Sequence, residues 1–239
     1  MDANDDKIEY AVRHTEILRS PRQSLATFGT TNIYYYLVTE PAYTDITGAA
    51  DETVVREGRV IAERPRIVTP YYLSRLEGFS LEARKYLDTL IKIYNPDSPG
   101  LFYAYRNEPK ELSIVTGKWP AVVDKLNTEI DKRGDLLTSI IKGEDELWDV
   151  SLLKFIYQLV RSSLPDNLSQ MGARGLLNVD SGGVPLDARL RIEELFEKAT
   201  KGEYDPYDLK DELDHWNLFA EYEDRFFAIF KKRRACKLP

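Results

Sequence analysis

The spacing of hydrophobic positions changes character near residue 117. Before it, apolar and aromatic residues fall in short runs rich in Val, Ile, Thr and Tyr and bounded by Gly, Pro and Asn. After it, they recur every three or four residues over much longer stretches. The first pattern is that of strands and the second that of amphipathic helices. Strands followed by helices, without regular alternation, predict an α+β fold: a β-rich N-terminal part, with strands and hairpins to about residue 116, and a mainly helical C-terminal part. The expected organisation is a single compact unit over 1–239. A subdivision into a β-rich 1–117 and a helical 118–239 is the alternative.

Residues 31–39 make the clearest strand. Ile33, Tyr35 and Leu37 share one face and Tyr34, Tyr36 and Val38 the other, so a central strand covered on both sides is expected. Two hairpins are predicted. One joins 53–56 to 59–62 through Glu57-Gly58; the other joins 101–105 to 112–115 through residues 107–110. Residues 42–51 read as a loop, and the stretch from Arg13 to Gln23 reads as extended, with His14 and Glu16 on one face and Thr15 and Ile17 turned inward.

Helices are predicted over 70–78, after Thr69-Pro70, and over 80–95, after Ser80. A third runs from Pro120 to Arg133, with Val122, Val123, Leu126 and Ile130 inward and Gly134 past its end. A fourth covers 145–163, with Leu147, Val150, Leu153, Tyr157 and Val160 inward. Residues 164–184 hold four glycines and no clear period, the signature of an irregular connection or a working loop. Pro185 opens a helix ending at Gly202, and Asp205-Pro206 opens a last one over about 206–233. The last carries Trp216, Phe219, Phe226, Phe227 and Phe230, a stripe too aromatic to leave in water.

Charge narrows the classes of function. The chain carries a net charge of −7. The nine C-terminal residues hold Lys231, Lys232, Arg233, Arg234 and Lys237 and no acid, so residues 1–230 are more acidic still, with 28 basic against 40 acidic residues. An acidic body disfavours nucleic acid and anionic lipid, which leaves the basic tail, read as flexible, as the one foothold for either. The N-terminus MDANDDK has no basic start followed by an apolar stretch, no run is long enough for a membrane helix, and the one cysteine, Cys236, has no partner for a disulfide within the chain. A cytoplasmic protein without a membrane partner is the expectation.

The sequence carries none of the common catalytic motifs. Neither a phosphate-binding glycine loop, a dinucleotide fingerprint, a nucleophile elbow nor a zinc-protease helix occurs, so no cofactor is expected. Two histidines and one cysteine are too few for a conventional structural zinc site, and no metal site is assigned; the 40 acids leave magnesium or calcium open. His14, Glu16, Arg19 and Arg22 form the densest group of catalytic-capable types, a histidine base beside a carboxylate with arginines for an anion. As a surface strand they would be only a solvated set. Asn167, Gln170, Arg174 and Asp180 are the binding candidates of the glycine-rich stretch, and the five aromatics from Trp216 to Phe230 are candidates for an interface.

These observations rank a non-catalytic protein-binding or self-associating module first, with a protein partner or a homodimer as its counterpart. An enzyme acting on an anionic or phosphorylated small molecule ranks second, with His14, Glu16, Arg19, Arg22, Arg174 and Asp180 in one pocket. Nucleic-acid or ribosome association through the tail ranks third.

Overall fold

The structure is a computed structural model that describes residues 3–43, 51–69, 72 and 100–235. The helices predicted over 70–78 and 80–95, the greater part of the 42–51 loop, and Cys236 and Lys237 lie outside the described residues. The protein is α+β, with its strands mainly in the N-terminal half and helices dominating the C-terminal part.

In chain order the elements are α1 (Ala3–His14), β1 (Glu16–Arg19), β2 (Thr31–Thr39), β3 (Glu52–Ala62), β4 (Arg66–Val68), β5 (Gly100–Phe102), β6 (Tyr105–Thr116), α2 (Trp119–Arg133), β7 (Thr138–Lys142), α3 (Trp148–Ala173), α4 (Leu186–Lys201), α5 (Pro206–His215) and α6 (Phe219–Ala235). Contacts group them into two compact units. The first contains residues 1–65 and 103–168, the second 66–102 and 169–239. The division falls within α3.

The first unit is built on a five-stranded sheet of order β1-β7-β2-β3-β6. The β2–β7 pair is parallel and the other pairs are antiparallel. β2 sits at the centre, as its two apolar faces require. Ile33, Tyr35 and Leu37 pack with Ile141 beneath Leu152, Phe155, Ile156 and Leu159 of α3. Tyr36 and Val38 pack with Val55 and Ile140 beneath Val122, Val123 and Ile130 of α2. Gly134 ends α2 in the left-handed conformation (φ 69°), its amide and that of Asp135 donating back to Asp131 and Ile130.

Several expectations are corrected. There is no hairpin at Glu57-Gly58: β3 runs straight through. The glycine serves close approach instead of a turn. A Cβ on Gly58 would lie 2.3 Å from the hydroxyl oxygen of Tyr35, the residue directly opposite on β2, whose ring crosses the glycine so that its hydroxyl donates to Asn107 at 3.0 Å. The second hairpin is also absent. β6 is continuous through Pro109, which sits on the sheet edge at a β-bulge, where the missing amide hydrogen costs no ladder bond. Residues 101–102 belong instead to β5, paired with β4 in the second unit.

Of the stretch read as extended, Arg13 and His14 belong to the end of α1, while Glu16–Arg19 forms β1. Arg13 and His14 in the last turn of α1 suit the helix dipole. α3 buries a different stripe from the one expected: Leu153 and Tyr157 are exposed, and Ser151, Phe155 and Leu159 face the sheet. Almost every turn of 147–160 offers two apolar stripes, and small Ser151 decides between them by letting the helix approach Gly143, where a Cβ would lie 2.3 Å from the serine hydroxyl. α3 also continues past Pro165 to residue 173, through half of the supposed loop. Side-chain bonds flank the proline: the Leu25 amide donates to Ser163, and Asn167 bonds Thr27 and Tyr103.

In the second unit, α4, α5 and α6 close over a core of Val68, Tyr72, Ile192, Phe196, Leu209, Leu213, Trp216 and Phe226. The single long helix expected over 206–233 is two. Asp205 caps α5 through the Tyr207 amide (2.8 Å), and the chain breaks at Asn217, left-handed at φ 57°, so that Leu218 bonds back to Leu213. Asparagine tolerates that conformation better than other residues bearing a Cβ. Among the described residues no helix is long and apolar enough to cross a membrane.

Candidate functional site

Three features of the first unit hold enough chemistry to be weighed: a half-buried ion pair, a tyrosine-lined cleft and a sheet edge. The ion pair joins β3 to the loop after β7. Arg56 donates to Asp145 at 2.7 Å, the Thr39 hydroxyl donates to the same carboxylate at 2.7 Å, and the guanidinium lies over Trp148, 5.7 Å from its centroid. Burial pushes the Asp145 carboxyl up, but the bonds from Thr39 and Arg56 outweigh it and hold the group below the usual carboxylate range. A folded-state value below the unfolded one gives stability that is present above pH ~4 and lost as pH falls through the depressed value. Asp145→Asn is accordingly expected to cost about 2 kcal/mol at pH 7 and to flatten the acid limb of stability against pH, measured by urea unfolding between pH 7 and 3. An unchanged acid limb would remove Asp145 as its source.

The cleft has a volume of about 540 Å³ and lies where β2, β3, β6 and the end of α2 meet. Tyr34, Tyr36, Arg59, Lys110 and Arg133 line it with Glu57, Glu108 and Asp135. Its charges are spent on one another. Arg59 pairs with Glu108 and holds that carboxyl below its ordinary value, Lys110 pairs with Glu57 at 2.5 Å, and Arg133 pairs with Asp135 at 3.1 Å while donating to the Tyr36 hydroxyl. Three cations balanced by three anions give no net field to draw an anionic substrate.

The sheet edge is β6. Among the described residues it pairs with β3 alone, leaving one side of a 12-residue strand without a neighbour. The ladder tells which groups face outward. Gly117 donates its amide to Asp51 across the sheet, so residues 117, 115 and 113 bond inward to β3, and by alternation the amides and carbonyls of Leu112, Ile114 and Thr116 point away from it. The side chains match this geometry. Val115 packs toward α2, whereas Leu112 and Ile114 stand on the α3 face of the sheet, 58% and 55% exposed. Leu112 there lines a groove of about 310 Å³ with Arg56 and Trp148.

The residues singled out from sequence are placed as follows. His14 ends α1, exposed, its ring stacked on Tyr10 at 3.8 Å and its Nδ1 2.8 Å from the Tyr10 carbonyl. Glu16 is exposed at the start of β1. Arg19 and Arg22 both reach Asp131 of α2, at 2.7 and 3.4 Å, and Arg19 also bonds Asn127; its hydrogen bond to Asp131 lowers that carboxyl's pKa. Asn167 is fully buried in the first unit. In the second, Gln170 is exposed on α3 and Arg174 in the turn that follows. Asp180 accepts from the amides of Gly182 and Val184 and from Arg189 of α4, which closes the turn before that helix. Of the five aromatics, Trp216 and Phe226 are buried in the core of the second unit, Phe219 and Phe230 pack partly against it, and Phe227 is 50% exposed. The α6 backbone continues to Ala235 through four of the five tail cations. Among the described residues no group of three or more His, Cys, Asp or Glu is placed to hold a metal ion.

Comparison of the chain with protein-family models, with curated proteins and with solved structures finds no match. The functional reading therefore rests on the chain's own geometry. The edge was not legible in the sequence, because a continuous β6 was hidden by Pro109; the cue was the uncharged run Leu112-Ser113-Ile114-Val115-Thr116 after it.

Proposed function

We propose that this chain is a non-catalytic protein-binding module that acts by accepting a strand on the outer edge of β6. The observation that carries the reading is the pairing of outward main-chain groups at Leu112, Ile114 and Thr116 with two exposed apolar side chains on the same stretch. Proteins blunt a free edge with charge, proline or a bulge, since a bare one recruits other strands. The N-terminal half of β6 carries all three devices, in Arg106, Glu108, Pro109, Lys110 and the bulge. The half from Leu112 to Thr116 carries none. In strand addition the main chain supplies affinity and alternate side chains supply specificity. The groove beside Leu112 and Trp148 suits an apolar side chain of the incoming strand. The balanced charges of the tyrosine cleft give an anionic substrate no foothold there.

A photo-cross-linking residue at position 114, in the protein expressed in its own host, tests this. Adducts are expected there well above those from a control at Tyr157, which is equally exposed on α3, and they are expected to vanish when Leu112→Pro removes one outward amide. Equal labelling at the two positions, or adducts indifferent to Leu112→Pro in a protein that still folds, would refute the edge as the binding surface.

A further inference from the structure

We infer that the strand received by β6 is the β6 of a second copy of this chain, laid antiparallel about a two-fold axis through Ser113. This rests on the strand-addition reading above and names its partner. An edge-to-edge antiparallel pair must match outward groups with outward groups, which restricts the registers available to residues 112, 114 and 116. With the axis at Ser113, Leu112 opposes the second copy's Ile114 and Ile114 its Leu112, both as hydrogen-bonded pairs on one face. Lys110 then opposes Thr116 and Glu111 opposes Val115, so no charge meets a like charge.

Neighbouring registers are worse. An axis at Ile114 sets Leu112 against Thr116, and one at Ser113's other neighbour, Leu112, sets Ile114 against Lys110, so each breaks up the Leu112–Ile114 contacts. The bulge and Pro109 end the pairing on one side and Gly117, whose amide is turned inward, ends it on the other, so the joined segment is residues 110–116 of each copy. Two five-stranded sheets become one, and four exposed apolar side chains meet in a stripe on the α3 face. A symmetric contact of this kind closes on itself and does not propagate into a fibre. So short a seam falls at the small end of specific interfaces, and the dimer is expected to dissociate on dilution.

The axis gives a direct chemical test. Opposed residues in a non-hydrogen-bonded pair stand about 4.5 Å apart at Cα, within disulfide reach. In a Cys236→Ser background, Ser113→Cys is expected to oxidise to a covalent dimer at least about tenfold faster than Val115→Cys, which is half-buried on the same face but opposes Glu111. Leu112→Lys with Ile114→Lys, both at exposed positions, is expected to leave the monomer folded by circular dichroism and to abolish the concentration-dependent dimer in sedimentation velocity. Equal oxidation of the two cysteines together with a monomer at ~1 mM, where even a millimolar dimer would be substantially formed, would overturn the two-fold dimer. If position 114 still cross-links to a different protein in that case, strand addition stands and only the identity of the strand is wrong. If those adducts are also missing, both readings fall.

Discussion

Replacing Gly58 with valine is expected to unfold much of the first unit's sheet, at a cost of at least about 3 kcal/mol. The new Cβ would lie 2.3 Å from the Tyr35 hydroxyl oxygen and 2.5 Å from the ring carbon that bears it. Tyr35 cannot move aside: it is 1% exposed, wedged between β3 and α3, and its hydroxyl is held by Asn107. The same burial raises the pKa of that hydroxyl, which stays protonated and donating at neutral pH. Urea unfolding followed by fluorescence reads the effect as a lowered midpoint. Tyr35→Ala in the Gly58→Val background should restore part of the loss, because the clash and the ring disappear together, and the two changes should be strongly non-additive. A Gly58→Val protein with an unchanged midpoint would mean that the close approach of ring and glycine does not exist. The position matters beyond stability, since Gly58 lies beside the bulge that sets which groups of β6 face outward.

Asn167→Ala is expected to destabilise the same unit by about 3 kcal/mol. Asn167 is fully buried, accepts from the Thr27 hydroxyl at 2.8 Å and donates to the Tyr103 hydroxyl at 2.9 Å. Removing it strands two hydroxyls in a site where water has little access, and unmade buried bonds cost more than made ones contribute. It also removes the side-chain ties that α3 makes just past Pro165. Thermal unfolding of Asn167→Ala beside Thr27→Val and the double variant separates the shared bond from the rest. A double variant no worse than Asn167→Ala alone is the expected result, since the Thr27 bond is already lost; full additivity would show that the two do not interact.

Much of the architecture was legible because its signals are local. The central position of β2 follows from two apolar faces on nine consecutive residues, and α2 and α4 end where Gly134 and Gly202 take the left-handed conformation their sequence allows. The misreadings share one physical origin: residues with strong turn propensity were used for tertiary reasons. Gly58 makes room for a ring from the neighbouring strand, Pro109 occupies an edge position that needs no ladder bond, and Pro165 sits in a helix whose Asn167 is tied to Thr27 and Tyr103. None of these partners is near in sequence. The break at Asn217 was hidden by the opposite effect, an apolar stripe that continues across it. The edge was illegible for the same reason as the hairpins, since a sheet edge is a property of strand order.

Amide hydrogen exchange at residues 111–116 tests the central claim most directly, compared between the dilute protein and the protein in the assembly isolated from its host. In the dilute state Leu112, Ile114 and Thr116 should exchange rapidly and Ser113 and Val115 slowly, the alternation of a one-sided edge. In the assembled state the three outward amides should slow by at least about tenfold, with Arg59 and Arg133 of the tyrosine cleft unchanged. Outward amides that exchange equally fast in both states, with protection arising elsewhere, would contradict the claim that β6 is the working surface of this protein.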